Sequence, residues 1–538
     1  MKRALPSGLA LVVVLALPFV ARSTHVRPPA SRAAETLVIL TPHNEAIRFE
    51  FGRAFREHMA RLGRDVDVDW RWPGGTAEIT HYLTSEFGAS FQRHWTHDLG
   101  RPWSSAVAAG LWRTTPLPPS GGDVGDEARR AFLASNVGSG VDLLFGGGSS
   151  EFATHAKAGR LVDAGLVAGH PELFGPGGIP QTRGGETYWD RDGRWFGTSL
   201  STFGVCYNRD VLDRLGVSEP PASWAALAAP ALRGQVALAD PTKSGSVGKA
   251  FETIIQNEMN AALARARAAG EQDPAALDRA AKHDGWASAI RLIRRVGANA
   301  RYFTDSAAKI PLEVAAGEAA AGMCIDFFGR VQGEYVASIG RPGRVGFATA
   351  RGETSLDADP IALVRGAPHR ELAVRFIEFV LSEEGQKLWA FKKGTPGGPT
   401  TYTLRRMPIL PALYDPAFER FRADPDENPY EEAGAFTYRP AWTGPLFSSI
   451  ALVVRTMCLD PDTELAAAWS ALVAAGFPRE ATARFDDVSL VDYDTVAGPL
   501  RAALQSADPL EEARWTRRLV EHHRALYREV AALAREGR

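Results

Sequence analysis

The sequence predicts an α/β protein built on open sheets. Two observations carry this: the chain opens strand–helix–strand, and three separate loops each follow a predicted strand and start a helix. Leu37-Val38-Ile39-Leu40 is a short β-type run that stops at Thr41-Pro42. Ile47, Phe51, Ala54, Phe55, Met59 and Leu62 then recur at helical spacing, with Gly63 as the stop. From residue 65 to 72 the chain alternates, Val66, Val68, Trp70 and Trp72 on one face and Asp65, Asp67, Asp69 and Arg71 on the other, the pattern of a half-buried strand. This β-α-β start argues for a parallel sheet.

Residues 100–125 are rich in Pro, Gly and Ser and read as an irregular insertion. A buried strand over 141–145 runs into Gly146-Gly147-Gly148-Ser149-Ser150 and a helix to about Ala158. Residues 195–208 look extended. A strand at 236–239 precedes Asp240-Pro241-Thr242-Lys243-Ser244-Gly245-Ser246, after which Val247, Ala250, Phe251, Ile254, Ile255 and Met259 outline an amphipathic helix. Residues 319–325 lead to Asp326-Phe327-Phe328, and Leu372, Phe376, Ile377, Val380 and Leu381 mark a helix ending near Gly385. Residues 402–438 are predicted to be mostly loop. Helices follow around 464–475 and from Asp508-Pro509 onward, where Asp508 is a good N-cap and proline suits the first helical position. Leu519, Leu526 and Leu533 recur every seven residues, as expected of a helix packed on the body.

Composition narrows the class. The 538 residues are 45% hydrophobic and 23% charged, ordinary globular values, and the length suits about three structural units. Sixty-one basic against 63 acidic residues leave a net charge of −2, so no nucleic-acid partner is expected. The three cysteines, Cys206, Cys324 and Cys458, lie far apart without a C-x-x-C motif, which excludes a disulfide scaffold and argues against a zinc ribbon. At the N-terminus Lys2 and Arg3 precede an apolar run over 8–20. It spans about 20 Å, short of the ~30 Å hydrocarbon core, and Ala21-Arg22-Ser23 offers a cleavage pattern. Residues 1–23 therefore read as a secretory signal peptide. No later stretch reads as long and apolar enough to cross a bilayer, and the mature protein is expected to be soluble and periplasmic.

Chemistry is expected at the three strand-to-helix loops, Thr41-Pro42-His43-Asn44, residues 146–150 and residues 242–246. In open α/β sheets such loops gather at the carboxyl ends of strands, where ligands bind. Unsatisfied N–H groups at helix starts attract an anion, glycine lets the backbone approach, and serine hydroxyls add neutral donors. Taken singly, each serine is also a plausible N-cap.

The residues that follow carry a resemblance. Trp195-Phe196-Gly197-Thr198-Ser199, Val205-Cys206-Tyr207-Asn208-Arg209-Asp210, Pro220-Pro221-Ala222-Ser223-Trp224, Leu232-Arg233-Gly234-Gln235-Val236, residues 240–246 and Ser382-Glu383-Glu384-Gly385-Gln386 occur in an order that resembles the extracellular solute-binding proteins of ABC importers, in the branch with ferric-ion, aminoethylphosphonate, thiamine and polyamine binders. The likeness spans roughly residues 36–400. It implies a type II periplasmic-binding fold: two α/β lobes around a cleft with a crossover hinge, here followed by a mostly helical C-terminal extension. The implied division is 36–200 with 345–400 for the first lobe, 201–344 for the second and 401–538 for the extension.

By position, the resemblance makes Thr41, His43, Asn44, Gly148, Ser149 and Ser150 the first-lobe wall, with Ser199, Ser201 and Thr202 near the hinge. Ser244, Gly245 and Ser246 face them from the second lobe, and Asp326 and Phe327 lie beside the return crossover. Ferric binders of this branch use adjacent tyrosines near that last position, whereas Asp326-Phe327-Phe328 supplies no phenolate for a hard cation. The implied function is capture of a small polar, anionic solute, phosphate- or phosphonate-bearing first, ferric ion or an iron complex second, a polyamine third. Hinge closure would deliver it to an ABC permease in the inner membrane. The chain is expected to act as a monomer, without catalysis and without a cofactor. The competing class is a secreted hydrolase, but neither G-x-S-x-G nor H-E-x-x-H occurs.

Overall fold

A computed structural model describes residues 35–431, 436–506 and 508–538; the segment read as a signal peptide lies outside them. The strands are β1 (Glu35–Leu40), β2 (Val66–Arg71), β3 (Leu143–Phe145), β4 (Leu161–Val162), β5 (Thr182–Arg183), β6 (Glu186–Thr187), β7 (Phe196–Ser201), β8 (Phe203–Asn208), β9 (Val236–Ala239), β10 (Ala300–Thr304), β11 (Ala321–Ile325), β12 (Val345–Thr349), β13 (Asp357–Val364) and β14 (Met407–Pro408). The first sheet runs β14-β7-β13-β3-β1-β2, with β4 also on β13; the second runs β10-β9-β11-β8-β12. β5 and β6 form a separate ribbon.

The opening β-α-β unit forms as expected, with β1 parallel to both β2 and β3 and Leu37 opposite Val68. The sheets as wholes are mixed rather than parallel. β13 runs antiparallel to β3 and β7, and β8 runs antiparallel to β11 and β12. The cause is the hinge: the chain leaves the first sheet at β7, enters the second at β8 across Thr202, and returns from β12 to β13. These are the two crossovers of a type II two-lobe fold. Val345–Thr349 therefore lies in the second sheet, not the first lobe expected from residue 345 onward, and β14 draws the start of the expected extension into the first sheet.

Residues 100–125 are more regular than expected, holding the helix Ser105–Leu111 and the start of Val124–Ala134, which is closed by a reciprocal cap between Asp123 and Asp126. The C-terminal region is not a separate arm. Leu446, Val453, Trp469, Leu519 and Leu526 lie in one apolar core with Val236, Leu238, Ile254 and Ile290 of the second lobe. The stretch Pro440–Leu459 is long and apolar enough to cross a membrane, contrary to expectation, but two-thirds of it is buried in that core. The last helix, Pro509–Arg535, begins where Asp508 accepts from Leu510 N. Its heptad leucines pack onto the body as predicted.

Candidate functional site

Sequence places the three loops at helix starts, and the fold brings them to one place. A cleft of about 810 Å³ separates the lobes, lined by His43, Asn44, Gly148 and Ser150 from the first, Ser201 at the hinge, and Ser244, Gly245, Ser246 and Phe327 from the second. Backbone approach explains two glycines. Gly146 has φ +96°, and a Cβ there would lie 2.6 Å from His43 Nε2. A Cβ on Gly245 would lie 2.7 Å from Glu151 Oε1 and 2.9 Å from Thr76 Oγ1 of the opposite lobe. The lobes are therefore already close.

At the start of Asp326–Ser338 the N–H groups are used internally, Asp326 N donating to Thr202 O and Phe327 N to Asp326 Oδ1. Three other helices that start on the cleft, Thr76–Arg93, Ser149–Lys157 and Gly245–Ala268, have no capping bond from the side chain at their N-cap. Their orphan N–H groups and aligned dipoles make the cleft walls donors toward an anion or an electron-rich oxygen. Ser244 thus occupies the N-cap position of its helix without a side-chain capping bond, whereas Asn44 makes one, its Oδ1 accepting from Ile47 N at 3.1 Å.

Five candidates stand behind the wall rather than on it. Thr41 is fully buried and its Oγ1 accepts from His43 N at 3.1 Å. Ser149 Oγ donates to Asp357 Oδ1 at 2.7 Å. Ser199 and Thr202 are buried in and beside β7. Asp326 is buried too, its Oδ1 accepting from Phe327 N at 2.8 Å; burial pushes its carboxyl up to about 6 despite Arg330 and Arg406 nearby. Arg330 reaches Glu427 at 2.9 Å and Asp424 at 3.7 Å.

The charged floor was missed from sequence. Arg406 pairs with Asp359, donates to Ser201 Oγ at 2.7 Å, and lies over the rings of Phe327 (4.5 Å) and Trp389 (5.2 Å). Asp359 also sits 3.1 Å from His43 Nε2 and accepts from Gly147 N at 2.9 Å. Burial opposes its charge, but Arg406, His43 and that N–H hold its carboxyl down at about 2. His43 Nε2 is thereby engaged within the protein, while its buried Nδ1 has no hydrogen-bond partner among the described residues. Beside this group, Lys249 Nζ lies 2.9 Å from Glu186 Oε1 and 3.2 Å from Glu252 Oε2. Burial raises Asp357 and pushes Glu186 up to about 7, against the pull of Lys249. One signal was available: Asp357 and Asp359 are two apart on a strand and so share a face.

The chain belongs to the bacterial extracellular solute-binding proteins, whose family model matches residues 136–412. That match covers both crossovers and the second sheet. It is also similar to an uncharacterized protein of Haemophilus influenzae, 26% identical over 192 residues that make up 36% of this chain and 45% of the relative. The chain thus spans less than half the length of the curated relative it matches. Among solved structures it is similar to the periplasmic binding protein AfuA of Actinobacillus pleuropneumoniae with exogenous fructose-6-phosphate bound, at 16% identity, 66% of this chain, 82% of that one and a TM-score of 0.41. It is also similar to iron-bound HitA of Pseudomonas aeruginosa, at 15% identity, 78% and 99% coverage and a TM-score of 0.43.

Proposed function

We propose that this is an exported, periplasmic solute-binding protein that captures a small anionic solute, phosphate- or phosphonate-bearing, between its lobes. The captured solute is then handed to an ABC import permease in the inner membrane. The observation that carries this reading is the convergence of uncapped helix starts from both lobes on one cleft. A guest whose oxygens accept from both walls binds the closed arrangement better than the open one, and that differential affinity is what closes a hinge. No turnover is needed for this task. Lys243 lines the same cleft and adds positive potential beside Ser244. A bare ferric ion is less well served. His43 is held by Asp359, Asp326 is buried behind Phe327, and among the described residues no group of three or more His, Cys, Asp or Glu side chains is placed to hold a metal.

Calorimetric titration with phosphonates, sugar phosphates, ferric salts and polyamines tests the proposal. Saturable one-site binding of a phosphate- or phosphonate-bearing compound is expected. Ser244→Ala combined with Ser246→Ala should weaken it by about 1–3 kcal/mol through lost donors. Binding of only the cationic compounds, or unchanged affinity in the double variant, would contradict this assignment.

A further inference from the structure

Residues beyond the matched family region touch both lobes at once. Tyr438 N donates to Gly184 O at 2.7 Å, in the turn between β5 and β6 on the first-lobe side. On the second-lobe side, Gln256 on the helix Gly245–Ala268 donates from Nε2 to Arg439 O (2.9 Å) and Thr443 Oγ1 (2.8 Å) and accepts from Arg439 N (3.1 Å). Asn260 Nδ2 donates to Thr437 O at 2.8 Å. Under this segment lies the ammonium of Lys249, 3.6 Å from the centre of the Tyr438 ring and paired with Glu186 across the lobes. Tyr438 OH and Thr443 Oγ1 donate to Glu252 Oε1 at 2.8 and 2.6 Å.

We propose that residues 436–443, pinned by the buried ammonium of Lys249, form a clasp that holds the two lobes together before any guest arrives. The proposal rests on the two-lobe capture reading, because a clasp matters only if the lobes must part to admit a guest. Its geometry explains why a segment outside the family match is bonded to a ribbon of one lobe and a helix of the other. An ammonium removed from water persists only among acceptors and negative charge, and here those come from both lobes. The facing groups are Glu186, Asp357 and Glu151 from the first lobe, Glu252 from the same helix, and Tyr438 from the clasp.

This arrangement also fixes the sign of a pH response. Burial raises Glu186, from 4.5 to about 7, and raises Asp357 and Glu151. Opening that returns these carboxyls to water restores their ordinary values, so on this proposal the closed state holds protons more tightly than an open one. Closure gains as pH falls from above 7 toward 4.5, and that gain is lost as pH rises through about 7.

The test is the interlobe distance in the full chain without guest, so it is independent of whether the cleft binds any compound in the titration panel. Spin labels go on Ala89→Cys in the first lobe and Ser338→Cys in the second, both exposed, while Cys206, Cys324 and Cys458 are buried. At about pH 8 the parent should show a single short distance. Lys249→Met leaves the facing acids without their counter-charge and should raise the open-to-closed ratio at least tenfold, with partial reversal at about pH 6 as those acids take up protons. Gln256→Ala cuts the clasp from its helix without touching the ammonium and should also open the lobes at about pH 8, with the open fraction falling toward about pH 6 as the retained acids take up protons. A parent that is already open, or both variants keeping the parent distance at about pH 8, would overturn the clasp.

Discussion

Arg406→Met should destabilise the protein by about 3–5 kcal/mol in urea unfolding, because it strands a buried carboxylate. Asp359 keeps its charge against burial chiefly through Arg406, with His43 and Gly147 N–H as minor partners. Arg406 also ties the hinge strand β7, through Ser201, to a ring on the second lobe, Phe327. Removing both charges together, as Arg406→Met with Asp359→Asn, should cost clearly less than the arginine change alone. Equal costs would mean that the pair is not what the site depends on. The same carboxyl predicts an acid limb. Its pKa falls from 3.8 to about 2 on folding, so its contribution is present above 3.8 and is lost as pH drops through about 2. That contribution is on the order of 2 kcal/mol, and Asp359→Asn should remove this limb from a plot of stability against pH.

Leu526→Ala should cost about 2–5 kcal/mol, the range for emptying a filled core site. Leu526 is fully buried with Leu519, Tyr527 and Val530 in the core that also holds Val236, Leu238 and Ile254. Tyr527 OH donates to Met457 O at 2.9 Å, fastening the last helix to the chain before it. Hydrogen exchange should therefore quicken in β9 as well as in Pro509–Arg535. A change confined to the last helix would mean that it folds as a separate unit. Leu510, 59% exposed on the same helix, is the control, and Leu510→Ala should stay within about 0.5 kcal/mol.

Local pattern revealed the strand-to-helix junctions, since hydrophobic spacing and glycine stops act over a few residues. The helix that begins at Gly245, the strand Val236–Ala239 and the cap at Asp508 all form where the residues imply. What local pattern does not encode is which charges meet. Lys249 looks like one polar position on an amphipathic helix until β6 places Glu186 against it. Arg406 falls in a stretch read as loop, yet β14 pairs with β7 and carries the neighbouring arginine under the cleft. Trp72 shows the opposite error. Alternation assigned it to a buried face, but the strand has ended by then and the ring stands 58% exposed on the cleft. The hydroxyls of Ser149 and Thr41, expected on the first-lobe wall, hold Asp357 and the His43 turn in place instead.

A crystal structure grown with the tightest-binding compound of the titration panel is the most direct measurement. The anionic group should sit about 2.7–3.1 Å from backbone N–H groups of both walls, within residues 147–150 and 244–247. A guest lodged outside the cleft, or touching one lobe alone, would contradict capture between the lobes.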